Sequence, residues 1–204
     1  ITADAVLTIP DLEGPQRREQ EQILIDLIAN TPDREAEEKS DYYFRLGTLY
    51  AKRVRQDPSD KDALIKAVKT FRAVTDNQAF RNYPKIDVAL FYLGFTLQAG
   101  KYMKEARATY DQLLKNYPNS RYVPEAHLVF AEYYFDANQL ADAEARYKQV
   151  LKFPKSASYW YAQYKIGWIH LALQRYQDAL EVFFTVAQGT NNDRKIAPLN
   201  TAAK

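Results

Sequence analysis

Two histidines, His127 and His170, are the only side chains of this 204-residue chain whose ordinary pKa suits proton transfer near neutrality. Neither stands in a set that chemistry could use. A zinc site needs three or four ligands at recognisable spacing, and none is found around either residue. The chain has no Cys, which removes disulfides, thiolate metal sites and cysteine nucleophiles. No Gly-rich phosphate loop, G-x-S-x-G, H-E-x-x-H or acidic calcium loop occurs. The acidic cluster EAEEK at 35–39 reads as the solvated start of a helix, where negative charge suits the N-terminal dipole. The histidines occupy the ends of the stretches HLVFAEYY (127–134) and QYKIGWIH (163–170) and are expected to pack against a partner helix. The sequence therefore predicts no enzyme, no metal and no cofactor.

What remains is chemistry of recognition. Aromatic residues make up 14% of the chain, with 16 Tyr and 10 Phe, enough to fill a core and leave rings for an interface. The net charge of +2 comes from 28 basic and 26 acidic residues, without a run of four Lys or Arg, so no nucleic-acid footprint is expected. No stretch approaches the roughly 18 consecutive apolar residues of a membrane span. A hydrophobic content of 47%, with only 6 Gly and 9 Pro, fits a packed core rather than disorder or a turn-rich β fold.

The elements that carry these rings repeat. YFRLGTLY (43–50), LFYLGFTL (90–97), HLVFAEYY and QYKIGWIH each join a large apolar residue to Gly or Ala: Leu46-Gly47, Leu93-Gly94, Phe130-Ala131 and Ile166-Gly167. An Ala-x-x-x-aromatic pair follows each: Ala67–Phe71, Ala106–Tyr110, Ala143–Tyr147 and Ala179–Phe183. The small residue recurs from 94 to 131 to 167, a period of 37 and then 36 residues. Leu90, Leu93, Gly94 and Leu97 fall at helical spacing, as do Ala106, Tyr110, Leu113 and Leu114. Each copy therefore reads as helix, short turn, helix, with Gly100 ending one first helix and NYPNS (116–120) ending the second. The small residue on the first helix is expected to face Ala on the second, so that the pair can approach closely. RQDPSDKD (55–62) is an insertion in the first copy whose Asp residues can cap the next helix.

The pattern W-x2-L-G-x2-Y, then A-x3-F, then P, is the signature of the tetratricopeptide repeat. Tyr43, Leu46, Gly47, Tyr50, Ala67 and Phe71 resemble it, as do Leu90, Leu93, Gly94, Leu97, Ala106, Tyr110 and Pro118, although Trp is absent from the first position of every copy. The resemblance implies an all-α, right-handed α-solenoid of about four helix-turn-helix units. The expected organisation is an extended or mobile arm at 1–14 and one solenoid domain at 15–193. That domain holds a capping helix (15–30) and repeats at about 40–86, 87–123, 124–159 and 160–193. A tail at 194–204 is expected to open a further helix, and the initial Ile1 suggests a trimmed or processed chain.

The resemblance also implies a site. In such arrays the first helix of each repeat lines a concave face, and its groove positions here include Phe44, Phe91, Phe95, Glu132, Phe135, Tyr161, Tyr164 and Trp168. The Lys, Asn and Arg set of a carboxylate clamp is missing. An apolar groove suits an amphipathic helix or an extended segment with large anchors. Whether that groove is open or filled by the chain itself is left open by the sequence, as are the partner and the oligomeric state. The expected role is a non-enzymatic protein-binding scaffold. The long period, the NYPNS and KFPKS ends and the Tyr content are similar to bacterial envelope proteins of the BamD and YbgF (Tol–Pal accessory) kinds. That similarity implies a periplasmic or cell-envelope address, with a lipid anchor upstream as one form of it. The alternatives are a cytoplasmic chaperone or regulatory subunit, and a recruitment domain of a larger enzyme.

Overall fold

The structure is a computed structural model that describes residues 14–190 together with Leu199, Thr201 and Ala202. The arm expected at 1–14 lies outside the described residues except for Gly14, which opens the first helix. The expected tail at 194–204 also lies outside them, apart from those three residues, which are helical. Every regular element among the described residues is helical, and the chain divides into two compact units that meet in sequence between Ser120 and Arg121.

The first unit runs through α1 (Gly14–Asn30), α2 (Ala36–Gln56), α3 (Lys61–Thr75), α4 (Ile86–Ala99) and α5 (Met103–Asn116). Leu24 is the buried residue of α1, and Tyr50 of α2 donates its hydroxyl to Glu21 at 2.8 Å. The insertion at 55–62 builds the α2–α3 turn. Asp60 caps α3 by accepting from the Ala63 amide at 2.9 Å, and Arg53 holds the same carboxylate at 2.8 Å. Between α3 and α4 the chain makes a short 3-10 turn at Gln78–Phe80, whose Phe80 is buried. The second unit holds α6 (Val123–Asp136), α7 (Leu140–Val150), α8 (Tyr159–Ala172) and α9 (Tyr176–Gly189). Its core joins Ala131, Ala143, Tyr147, Val150, Ala162, Ile166 and Ile169.

The small residues of the repeat do permit close approach, but what they face differs from the expectation. A Cβ on Gly47 would meet the Phe71 ring at 2.8 Å, one on Gly94 the Tyr110 ring at 2.8 Å, and one on Gly167 the Phe183 ring at 2.6 Å. The atoms nearest the glycine thus belong to the aromatic member of Ala-x-x-x-aromatic. The physical reason is reach. The ring, one turn beyond the alanine, extends across the helix pair, while Ala67 and Ala106 are themselves fully buried. Burying such a ring stabilises by about 1.5–3 kcal/mol, which exceeds the roughly 1 kcal/mol that glycine costs inside a helix.

In the turns inside repeats 2–4, Gly100 ends α4 as its C-cap. Its φ is −78°, so it does not supply the left-handed residue. That residue is Lys101 (φ 64°), and its counterparts are Asn138 (φ 56°) and Gln174 (φ 60°). In each turn two amides reach back to the helix: Lys101 N to Gln98 O at 2.9 Å and Tyr102 N to Leu97 O at 2.9 Å, then Asn138 to Phe135 and Gln139 to Tyr134, then Gln174 to Leu171 and Arg175 to His170. This is the Schellman closure, normally built on glycine. Gly100 is needed for another reason, since a Cβ there would stand 2.7 Å from Leu64.

Candidate functional site

Of the positions implied by the resemblance, Phe44, Phe91 and Phe95 lie in the first unit. Phe44 is half-buried among Phe71, Tyr83 and Tyr92, with ring centroids 6.0–6.3 Å apart, and the Lys85 ammonium sits 5.5 Å from its ring. Phe91 is buried between Tyr92 and Tyr110, each centroid 6.0 Å away. Phe95 is half-buried. Asp41, one turn from Phe44, accepts from Tyr83, Lys85 and Arg45 at 2.8, 2.8 and 2.6 Å. Burial would raise its pKa, but these donors outweigh burial and hold the carboxyl below its usual range. The aromatic residues of this unit mainly hold its helices together.

The second unit gathers the other five. Glu132 and Phe135 come from α6, and Tyr161, Tyr164 and Trp168 from α8. Lys165 ties the two helices. Its ammonium lies 3.4 Å from Glu132 and 3.7 Å from the Phe135 centroid. Glu132 also accepts from the hydroxyls of Tyr147 and Tyr161, the latter at 3.3 Å. Burial and then the Glu132 charge push Tyr161 up to about 12, and burial with the Glu132 hydrogen bond pushes Tyr147 higher. Both phenols therefore stay neutral donors at physiological pH. A half-buried carboxylate with two phenol donors and one ammonium is satisfied, so this cluster orients α6 and α8 rather than reacting.

Beside that cluster the face opens. Tyr164 and Trp168 meet edge to face at 6.1 Å, and both pack on Phe183 of α9, at 5.7 and 5.8 Å. Tyr164 is half-buried, but Trp168 remains 42% exposed. An indole held rigid on one side and open on the other is an anchor for an apolar or amphipathic segment.

Sequence reasoning missed Lys165, Tyr147 and Phe183. Lys165 had a legible signal, being the lone charge in the apolar run YWYAQYKIGWIHLA, one turn after Tyr161. The roles of Tyr147 and Phe183 depend on which helix lies opposite and had none. The histidines do pack on helices. His127 Nδ1 lies 3.4 Å from the Arg146 guanidinium, and burial followed by that charge lowers its pKa to about 4. His170 Nε2 lies 3.6 Å from Glu144. Among the described residues no three His, Asp or Glu converge as metal ligands, and no helix is long and apolar enough to cross a membrane.

The paired helices, their glycine-to-ring contacts and their 36–37-residue step agree with one family. A family described as a tetratricopeptide repeat-like domain matches residues 67–193. The chain belongs to that family. Tetratricopeptide repeats are protein-binding modules rather than catalysts, and the chain is an all-α member of this solenoid class. No curated protein matches it significantly. Among solved structures it is similar to a tetratricopeptide repeat protein from Parabacteroides merdae, at 20% identity and a TM-score of 0.54, over 76% of this chain and 58% of that one. The chain thus spans less than two thirds of that protein's length. It is also similar to the nearly identical TPR-like repeats of a putative kinesin light chain from Podosopora anserina, at 17% identity and a TM-score of 0.54, over 94% of this chain and 84% of that one. Likeness at this identity establishes the fold.

Proposed function

We propose that this repeat protein holds a segment of a partner protein on the first-helix face of its second unit, with Trp168 as the anchor. The carrying observation is the 42% exposure of Trp168 within a ring cluster whose other members are half-buried. Tyr161 and Tyr164 add apolar area with hydroxyl tips, and Glu132 with Lys165 fixes the angle at which the face is presented. The ligand class is an amphipathic helix or extended strand with one large apolar side chain seated beside Trp168.

The remaining positions, Phe44, Phe91, Phe95 and Phe135, act in this reading as supports. The setting is a multiprotein assembly of the cell envelope. Its basis is the resemblance of the 36–37-residue period and the NYPNS and KFPKS repeat ends of this chain to envelope repeat proteins.

A photo-crosslinker at position 168 in the native organism tests the site, with Lys155 as an exposed control. The expected result is one protein captured from 168 but not from 155, in the envelope fraction. Its capture should fall at least about tenfold when Tyr164→Ala removes the neighbouring ring. Equal capture from both positions, or adducts only within the chain, overturns the site. Capture of a soluble cytoplasmic protein overturns the envelope setting alone.

A further inference from the structure

α6 and α8 run side by side in the same direction. Near their starts Ser158 donates to Glu125 at 3.4 Å, and seven residues further on along each helix Lys165 lies 3.4 Å from Glu132. Tyr161 and Phe135 join the same rung, since the Tyr161 hydroxyl reaches Glu132 at 3.3 Å and the Lys165 ammonium stands 3.7 Å from the Phe135 centroid. One helical turn beyond Glu132 is Asp136, the last residue of α6. The matching turn of α8 carries Trp168, three residues beyond Lys165. Asp136 and Trp168 therefore flank the next rung, and Leu171, one turn after Trp168, is 37% exposed.

The charge at that rung is uncompensated. Asp136 is exposed, and its side chain enters no ion pair or hydrogen bond among the described residues. α6 has no basic residue in its last turn, so the carboxylate adds to the negative end of the helix dipole instead of opposing it. α7 brings an acid, Asp142, in its first turn. The cations of the neighbouring elements are engaged elsewhere: Lys165 with Glu132, and Lys148, His170 and Arg175 around Glu144 at 2.6, 3.6 and 3.8 Å. The charge of Asp136 also reaches the Tyr161 phenol, where it follows burial and Glu132 among the causes that raise the pKa. An acid thus stands at the helix end that disfavours it, beside an exposed indole.

Building on the Trp168 site proposed above, we propose that the partner segment held there is basic: an Arg or Lys next to its large apolar residue lays its stem over the indole of Trp168 and pairs its head with Asp136. Arg suits the place best, because its planar guanidinium stacks on an aromatic face and meets a carboxylate with two N–H groups. Glu132 does not serve this purpose, since two phenols and the Lys165 ammonium already occupy it. Asp136 selects among segments that the apolar face alone would hold about equally, and it turns acidic segments away.

A displayed library of random peptides, each about a dozen residues long, is selected on the full chain to test the assignment. Peptides retained by the wild type but not by Trp168→Ala should carry Arg or Lys beside a large apolar residue, at least about threefold above the library frequency. Asp136→Asn should remove that excess and keep the apolar residue, and Asp136→Lys should replace it with Asp or Glu. In a synthetic copy of a selected peptide, Arg→Gln should weaken binding by about three- to tenfold, as should Asp136→Asn in the protein, and the two together by no more than one alone. Asp136→Asn should melt no lower than the wild type, because it relieves the helix end. An apolar preference without basic excess, a basic excess that persists in Asp136→Lys, additive losses, or a lower melting temperature of Asp136→Asn each overturn the pairing and leave the Trp168 site standing. A library that does not distinguish the wild type from Trp168→Ala overturns both.

Discussion

Replacing Gly94 with alanine sets two effects of opposite sign against each other. In a helix interior the change should stabilise by about 1 kcal/mol, because alanine is the better helix former. The added Cβ, however, would stand 2.8 Å from Tyr110 Cε1 and 2.8 Å from its Cζ. Ordinary contact begins near 3.4 Å, so ring or helix must give by about 0.6 Å. The ring cannot move freely. Tyr110 is 1% exposed, and Phe91 stands 6.0 Å from it centroid to centroid. Overpacking of this kind costs about 1–3 kcal/mol. With the ring so enclosed the cost falls in the upper part of that range, about 2–3 kcal/mol, so the net expectation is a loss of about 1–2 kcal/mol, and more for Gly94→Leu.

Urea unfolding followed by far-UV ellipticity measures the loss. A double-mutant cycle with Tyr110→Leu identifies its cause. If the ring is the obstacle, the two substitutions together should cost less than their sum by about 1 kcal/mol or more. Wild-type or higher stability for Gly94→Ala would refute the reasoning, and so would strict additivity, which would place the strain elsewhere.

Other consequences are open to measurement. Gln174→Gly and Lys101→Gly should each stabilise by about 0.5–1 kcal/mol, since both residues hold positive φ at a position that favours glycine; Asn138→Gly should gain less, and a lower melting temperature for all three would contradict the turn assignment. His127, held near 4 against an unfolded value of 6.5, stays neutral in the folded chain while the unfolded chain takes up a proton. Its contribution is therefore present above about pH 6.5 and lost as pH falls towards 4, roughly 1–2 kcal/mol after allowance for partial exposure. Glu125, raised by burial, works in the opposite sense, so the quantity to measure is the difference between wild type and His127→Asn, which should shrink across that window. Glu132→Gln removes the charged acceptor of Tyr147 and Tyr161 and the counter-ion of Lys165, and should cost about 1–3 kcal/mol by urea unfolding. No loss there would show that the cluster does not hold α6 to α8.

The helices themselves were legible because their signals are local. Apolar spacing, Pro118, the Asp60 cap and the recurring Leu-Gly and Ala-x-x-x-aromatic pairs mark where each helix runs and where it stops. The repeat multiplied a weak pattern into a strong one. Two local readings lacked a contact that only packing supplies. Gly100 ends α4, yet the left-handed residue of the turn is Lys101 one place later, and the bare Cα of Gly100 clears Leu64. Gly94 was matched to Ala106, while the atoms that meet it belong to Tyr110. In both cases the deciding contact comes from another helix.

The candidate site shows the same division. By itself the sequence determined an all-α repeat protein, and it placed Tyr161, Tyr164 and Trp168 on one first helix. It could not rank the aromatic positions, since Phe44, Phe91 and Tyr164 share one repeat position, Phe95 and Trp168 share another, and their chemistry is similar. Tertiary packing ranked them: Phe44 and Phe91 are enclosed by Tyr83, Tyr92 and Tyr110, while Trp168 rests on Phe183 with its other side free. It also recruited Lys165 between Glu132 and Phe135. Helical periodicity is a property of the chain and can be read along it, whereas the exposure of a ring is a property of what lies opposite and exists only once the helices have packed.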